Sequence, residues 1–264
     1  MAKQADSDFL TMTGLDDQLS FSYVVEVTGR EPLPPMRLTQ TENRIDFGSA
    51  NVSISLENRE IGVKILVGTN GKSIQETYRE TAKLFYTGAE RRRYVFSDDP
   101  KVYWQMSLSS VEIDEEVDSF ATIDLTYDAY PLSVDTEEQT VTGTNIISFY
   151  NSGTYPSNGQ LSFTNNSTTA KVISITINDQ LSKVVLKAET ADELKGNWVI
   201  DMQDRTVFKN NALSMQYIDQ YASKWVADET DKFYIPALKT VQYNIPLSTT
   251  EVQNAKIVYK RRWL

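Results

Sequence analysis

The chain of 264 residues contains neither cysteine nor histidine. Without cysteine it can form no disulfide, no thiolate metal site and no thiol nucleophile. Without histidine it lacks the commonest general base and the commonest metal ligand. An enzyme with this composition would have to depend on paired carboxylates, lysine or tyrosine. These absences disfavour most hydrolytic chemistry, and the sequence predicts neither a bound metal nor a cofactor.

Basic residues are fewer than acidic ones, and long apolar runs are absent. The chain has 26 lysines and arginines against 36 acidic residues, which gives a formal charge of −10. This charge opposes binding to nucleic acid phosphates or to anionic membrane surfaces. No run of about eighteen apolar residues is present, and the start "MAKQADSDFL" lacks the apolar centre of a signal peptide. We therefore expect a protein that is made in a cytoplasm and does not insert into a membrane.

One short motif resembles a nucleotide-binding loop, in the segment "LVGTNGKSIQE" at residues 66–76. A phosphate-binding loop requires G-x-x-x-x-G-K-[ST], and here Gly68 precedes Gly71 by only three residues, so the motif is two residues short. Ser73 followed three residues later by Glu76 forms a capping box. The segment therefore predicts a turn and the start of a helix, and no bound nucleotide.

Alternation with a period of two dominates the first half of the sequence and predicts antiparallel strands with one buried face. One helix, from Ser73 to about Tyr86, interrupts the strands and should pack across a sheet, with Gly88 as its C-terminal cap. The predicted buried faces are Leu19, Phe21, Tyr23, Val25 and Val27; Val52, Ile54 and Leu56; Ile61, Val63, Ile65 and Val67; Val102, Trp104, Met106 and Leu108; and Ala121, Ile123, Leu125 and Tyr127.

A domain boundary is predicted where Pro131 ends a strand-like stretch and the chain turns polar and acidic. Residues 1–133 then form a mainly β domain, a sheet or sandwich with one packed helix. Residues 134–264 contain many further short strands and are typical of a β-sandwich, in which Trp198 is interior. The segment "ALSMQYIDQYASKWVA" at residues 212–227 fits either a helix or a long aromatic loop.

Two groups of charged residues are candidate sites. Asp98 and Asp99, with the acidic run at residues 112–118, could supply the two carboxylates of a glycosidase, but adjacent acids rarely face each other across a cleft. We interpret the first pair as a turn between strands and the acidic run as a solvated connection. Arg91 to Arg93, with Arg261 and Arg262, could bind a phosphate or carboxylate as a clamp, lie at a solvent-exposed edge or form a subunit contact.

Aromatic residues in the second half could form a platform on which sugars stack, although such side chains more often belong to a core or an interface. One group is singled out as a possible ligand or partner surface: Tyr217, Tyr221 and Trp225.

Taken in order, these pieces resemble the distal tail protein family of long, non-contractile-tailed bacteriophages, whose members are hub proteins of the tail tip. The resemblance rests on "VTGREPLPP", "ENREIGVKILV", the capped helix, "RRRYVFSDDPKVYWQMSLSSVEIDEE", "FATIDLTYDAYPLS", "LKGNWVIDMQDRTVFKN" and "IVYKRRWL". It covers nearly the whole chain, and the order of the pieces gives it specificity. The sequence departs from the family in lacking a glycine turn in "IPALKTVQYNI" and in its extension "MAKQADSD".

The resemblance implies a non-enzymatic structural protein of the virion tail tip, assembled in the bacterial host cytoplasm. Its first domain would form a six-membered ring, and its second would be a galectin-like β-sandwich. Such a ring joins the tail tube protein to the tail-tip protein and holds receptor-binding or baseplate proteins. The alternatives are a carbohydrate-binding module for host cell-wall polysaccharide and a carboxylate glycoside hydrolase.

A ring of six chains would carry a formal charge of −60, six times the −10 of one chain. DNA passing through its opening would slide along an acidic wall more easily than along a basic one. The candidates for such a wall are Asp114, Glu115, Glu116 and Asp118, which could equally serve outer-surface solubility.

Overall fold

The computed structural model describes residues 10–16, 20–31, 34–41, 51–68, 73, 75–76, 79, 90–117, 120–178, 182–219, 223 and 234–264. For residues 20–22, 37–41, 51–55, 113–117 and 182 it describes the backbone alone. The chain divides into two compact units, one of residues 1–136 with Leu264 and one of residues 137–263.

The first unit is built on a closed antiparallel β-barrel. Six strands follow one another in the order β7, β6, β1, β2, β5 and β8, and β8 pairs again with β7 to close the ring. The strands of this unit are β1 (Leu10–Gly14), β2 (Ser20–Thr28), β3 (Met36–Thr41), β4 (Asn51–Leu56), β5 (Arg59–Gly68), β6 (Arg92–Phe96), β7 (Asp99–Val117), β8 (Phe120–Ala129) and β9 (Ser133–Asp135).

The length of β7 makes the closure possible. Its first part pairs with β6 and its second part with β8, and Met106 lies opposite both Arg92 and Ala129. The register between β7 and β8 is irregular between Leu108 and Ser110, and again between Ile113 and Glu115. Irregularities of this kind bend a strand. The acidic run is therefore mostly strand, which makes our interpretation of it as a connection wrong.

The barrel interior holds the apolar positions that alternation predicted in β5, β7 and β8. Val67 and Leu108 are only partly buried. The buried cluster is Met12, Val24, Ile61, Val63, Ile65, Tyr94, Phe96, Trp104, Met106, Ile123, Leu125, Tyr127 and Ala129.

The predicted face of β2 is wrong at two positions. Val24 is the buried residue, whereas Tyr23 and Val25 point outward. The register slips by one residue between Val24 and Glu26, so that alternation changes phase and Val27 packs against the core again. A bulge of this kind inserts an unpaired residue and interrupts the period of two.

The second unit is a β-sandwich, as predicted. A six-stranded sheet, in the order β10, β19, β12, β15, β16 and β17, shares one core with a four-stranded sheet, in the order β11, β18, β13 and β14. The elements are β10 (Gln139–Gly143), β11 (Ile146–Asn151), β12 (Gly159–Asn165), β13 (Val172–Ile177), β14 (Ser182–Lys187), a one-turn helix (Ala191–Leu194), β15 (Gly196–Asp201), β16 (Thr206–Lys209), β17 (Ala212–Leu213), a 3-10 turn (Met215–Tyr217), β18 (Lys239–Asn244), β19 (Val252–Tyr259) and β20 (Arg262–Trp263).

Two large aromatic side chains anchor the sandwich core. Trp198 is fully buried, as predicted, and its Nε1 donates to the Leu194 carbonyl at 2.8 Å. Tyr243 is also fully buried, and burial raises the pKa of its hydroxyl.

The start of the predicted helix is confirmed. The Glu76 amide donates to Ser73 Oγ at 3.3 Å, the Ser73 amide donates to Glu76 Oε2 at 3.1 Å, and the backbone at Gln75, Glu76 and Arg79 is helical. These reciprocal bonds form the capping box. The remainder of the predicted helix and its cap lie outside the described residues.

Candidate assembly surfaces

The first candidate surface is apolar and lies on the outside of the barrel. Tyr23 and Val25 are 56% and 48% exposed, and we refer to these two residues as the β2 patch. Register slips lie on both sides of Val24, against β1 on the Tyr23 side and against β5 at Val25, and both exposed side chains lie outside the barrel. Large exposed apolar side chains grouped on one strand are typical of a surface that a partner covers.

The second candidate surface is the hairpin of β3 and β4. Its register pairs Met36 with Leu56, Leu38 with Ile54 and Gln40 with Val52, so the apolar residues share one set of alternate positions. The intervening positions hold polar residues: Arg37, Thr39, Thr41, Asn51, Ser53 and Ser55.

Among the described strands, β3 and β4 pair only with each other. A two-stranded hairpin is marginally stable by itself in water, and a hairpin whose apolar positions fall on one face gains stability when that face is covered. The sequence pattern and the register together therefore indicate a surface suited to docking.

The arginines at 91 and 93 bind carboxylates of the same chain. Arg91 pairs with Asp128 and lies over the ring of Tyr130, 4.0 Å from its centroid. Arg93 donates to Asp16 from its backbone amide and its guanidinium, which lowers the pKa of that carboxyl. Because Arg91 and Arg93 already pair with carboxylates of the same chain, their charges are compensated. This disfavours the phosphate or carboxylate clamp. Arg92 is half-buried.

Near the C-terminus, Arg261 donates to Ser152 Oγ at 3.0 Å and lies 5.5 Å from the ring centroid of Trp263. The backbone of Arg262 pairs with Tyr155. The structure thus ties Arg261 and Arg262 to neighbouring residues of the sandwich.

Asp98 and Asp99 take separate roles at the turn between β6 and β7. Both carboxylate oxygens of Asp98 accept from Arg30, at 2.9 and 2.5 Å, and this pairing lowers the pKa of Asp98. Asp99 begins β7 and pairs with Phe96. Because the pKa of Asp98 is lowered, the pair stabilises the fold above about pH 4 and is lost as the pH falls through the folded pKa.

Arg59 is buried at the end of the barrel, where it is only 3% exposed. Its guanidinium donates to the Glu31 carbonyl at 2.6 Å and to the Pro131 carbonyl at 2.7 Å, and it lies 4.8 Å from the ring centroid of Trp104. Burial lowers the pKa of this guanidinium. Arg59 thus links two loops, one containing Glu31 and the other Pro131, to the barrel.

Gly29 lies in the first of these loops, at a positive φ of 80°. A Cβ at this position would lie 1.9 Å from the Glu60 carbonyl oxygen. The close approach of the loop to β5 therefore requires glycine.

The outward faces of β2, β5, β8 and β7 carry a row of charged residues. Glu26 is paired in register with Lys64, Lys64 with Asp124, and Asp124 with Glu112. Lys64 Nζ lies 3.7 Å from Asp124 Oδ1. The row contains three acids and one base, so this part of the barrel surface is acidic.

Three of the four acids predicted to line an opening lie on β7, near this row. The backbone pairs Glu115 with Thr122 and Glu116 with Ala121, while Asp114 lies at the register slip beside Glu115. Asp118 lies outside the described residues.

The aromatic group in the second unit is described at one residue. Tyr217 is half-buried, packs edge-to-face on Trp198 with 5.6 Å between centroids, and lies 5.4 Å from Lys209 Nζ. The segment is strand and 3-10 turn up to Tyr217, not α-helix. Tyr221 and Trp225 lie outside the described residues.

Among the residues that the structure describes, no group of three or more acidic side chains could hold a metal ion. No helix in these residues has the length and apolarity to span a bilayer.

No protein-family model and no curated protein sequence matches the chain. Among solved structures, it is similar to the SPP1 Dit (gp 19.1) protein, described as a paradigm of the hub adsorption apparatus in phages that infect Gram-positive bacteria. The TM-score is 0.70 at 17% identity, over 97% of this chain and 99% of that chain. Chains of the phage P2 baseplate in its activated conformation, with Ca and with Sr, match at TM-scores of 0.47 and 0.46, 11% identity, 96% of this chain and 97% of those chains.

The similarity to the SPP1 protein extends over nearly the full length of both chains. It confirms the mainly β fold that the sequence resemblance implied.

Proposed function

We propose that this chain is a non-enzymatic structural protein of a phage tail tip, which assembles as a six-membered hub. The observation that carries the proposal is the full-length similarity in fold to a phage hub protein. The hub would join the tail tube to the tip or baseplate and hold receptor-binding proteins. In this reading, residues 1–133 form the ring and residues 134–264 form the second domain.

The two apolar surfaces of the first unit support assembly. The β2 patch and the hairpin of β3 and β4 differ from each other, so a contact between them on neighbouring copies is heterologous. Heterologous contacts generate closed rings when the rotation between copies closes. We propose that the apolar positions of the hairpin cover the β2 patch, or apolar surface beside it, on the next copy.

Replacing Ile54 by aspartate is expected to leave the chain monomeric while both units remain folded. Ile54 is paired with Leu38 within the apolar set, so a carboxylate there would be buried without a partner on assembly. Sedimentation velocity measures the oligomeric state, and circular dichroism checks the fold.

The matched control is Ser53→Asp, which changes the neighbouring position in the polar set. We expect the control to assemble like the unmodified chain. Assembly of both variants, or of neither, would contradict the proposed role of the apolar positions.

We propose that acidic residues of β7 and β8 face the central opening of the ring and let DNA slide. The acidic row of the barrel and the register of Glu115 support this placement. Particles carrying lysine at Glu112 and Glu115 should assemble but eject DNA more slowly, because lysines would contact its phosphates. Unchanged ejection kinetics in intact particles would place these acids away from the DNA path.

The proposed location can be tested on virions. Gold-labelled antibodies raised against this chain should mark one site per particle, at the distal end of the tail. Label along the whole tail, on the capsid or only on unassembled protein would overturn the assignment.

A further inference from the structure

The outward face of the four-stranded sheet in the second unit has an unusual composition. On three of its four strands, β11, β18 and β13, the outward positions hold hydroxyl, amide and apolar side chains and no charged one. We call this surface the neutral face; its members are Ile146, Ser148, Tyr150, Thr240, Gln242, Asn244 and Thr176. Lysines flank the neutral face among the described residues: Lys183 and Lys187 lie on β14, and the exposed Lys239 begins β18.

The polar side chains of the neutral face make no hydrogen bond within the described part of the chain. Ser148 lies opposite Gln242, and Asn244 lies between Ile146 and Thr176. Hydroxyls and amides can each donate and accept, so the face presents both kinds of group to an external ligand.

The opposite sheet of the sandwich provides an internal comparison. On its outward face, Gln160 donates to Asp201 at 2.8 Å, and Thr164 donates to Asn197 at 2.7 Å. That face also carries the charged Lys256. Four polar side chains of that face thus pair with one another, whereas those of the neutral face make no such pair among the described residues.

An exposed aromatic ring completes the neutral face. Tyr150 is 59% exposed at one end of β11, and Ile146 is 44% exposed at the other. Strands rise by about 3.3 Å per residue, so these two side chains stand about 13 Å apart. A ligand that contacts both must be extended, and one that combines hydroxyl groups with an apolar ring face would match the groups that the neutral face presents.

We propose that the neutral face binds a neutral oligosaccharide of several sugar units, with Tyr150 stacking on one ring and Gln242 hydrogen bonding to hydroxyls. The absence of charge in a chain of net charge −10 fits an uncharged ligand. A protein partner fits less well, because protein interfaces are depleted in serine and enriched in arginine and clustered aromatics. The inference stands on the second unit alone and does not depend on ring formation.

Calorimetry on the full chain with maltohexaose, cellohexaose and chitohexaose tests the proposal. At least one should bind with a Kd of about 1 mM or tighter, and Tyr150→Ala should weaken that binding about tenfold. Gln242→Ala should also weaken it. The matched control Gln160→Ala, on the outward face of the other sheet, should leave it unchanged.

Three outcomes would overturn the proposal. The first is the absence of binding by all three glycans at about ten times that concentration. The second is binding that survives Tyr150→Ala and Gln242→Ala, which would place the sugar elsewhere. The third is self-association that Tyr150→Ala abolishes without any glycan binding, which would make the neutral face a contact between copies. Circular dichroism of each variant verifies the fold.

Discussion

Trp198→Ala is expected to lower the free energy of unfolding of the second unit by about 4 kcal/mol. The indole is fully buried between the two sheets, so its removal leaves a large cavity. It also removes the bond from Nε1 to the Leu194 carbonyl and the edge-to-face contact with Tyr217. Hydrogen exchange resolved by peptide measures the loss in the strands of this unit separately from the barrel.

Two further variants serve as comparisons for Trp198→Ala. Val199→Ala changes the adjacent, half-buried outward residue of the same strand and should cost less than about 1 kcal/mol. Trp198→Phe keeps most of the packing but loses the Nε1 donor, so we expect a loss of about 2 kcal/mol. Equal losses from Trp198→Ala and Val199→Ala would contradict the assignment of Trp198 to the core.

Arg59→Ala is expected to lower the free energy of unfolding of the first unit by about 3 kcal/mol. The variant loses two charge-assisted bonds, to the Glu31 and Pro131 carbonyls, and the contact with the Trp104 ring. Release of the desolvation cost of the buried guanidinium offsets part of this loss. Protection of backbone amides from hydrogen exchange should fall first in the two loops that contain Glu31 and Pro131.

Arg93→Ala is the matched control, since it removes an arginine whose ion pair with Asp16 is partly exposed to solvent, whereas Arg59 is buried. We expect it to cost less than about 1 kcal/mol. If Arg59→Ala left the exchange of both loops unchanged, the bonds to their carbonyls would not be fastening them.

Strand alternation predicted the barrel interior at Ile61, Val63 and Ile65 because one face of each strand is buried throughout. The same rule failed at Tyr23 and Val25, where a bulge changes the phase. A bulge depends on pairing with neighbouring strands and leaves no periodic signal in its own strand.

Closure of the sheet into a barrel was not predicted, because it depends on β7 pairing with two different strands. Such long-range pairing has no local sequence pattern. Arg59 was also missed as a structural residue, although a signal existed: it lies two residues before Ile61, in phase with the buried face of β5.

Among the candidate sites, the capping box at Ser73 and Glu76 was predictable since its bonds are local. The partners of Arg91, Arg93 and Asp98 were not, because each ion pair joins residues distant in sequence. The neutral face likewise emerges only when register brings β11, β18 and β13 together.

We propose that this chain assembles into a hub of six copies. Native mass spectrometry of the purified 264-residue chain, with electron microscopy of the same sample, measures the number of copies and their symmetry. We predict a species of about 180 kDa, six copies of the 30.0 kDa chain, seen as a six-fold ring with an open centre. A protein that remains at 30.0 kDa at all concentrations, or closes with another symmetry, would contradict the account.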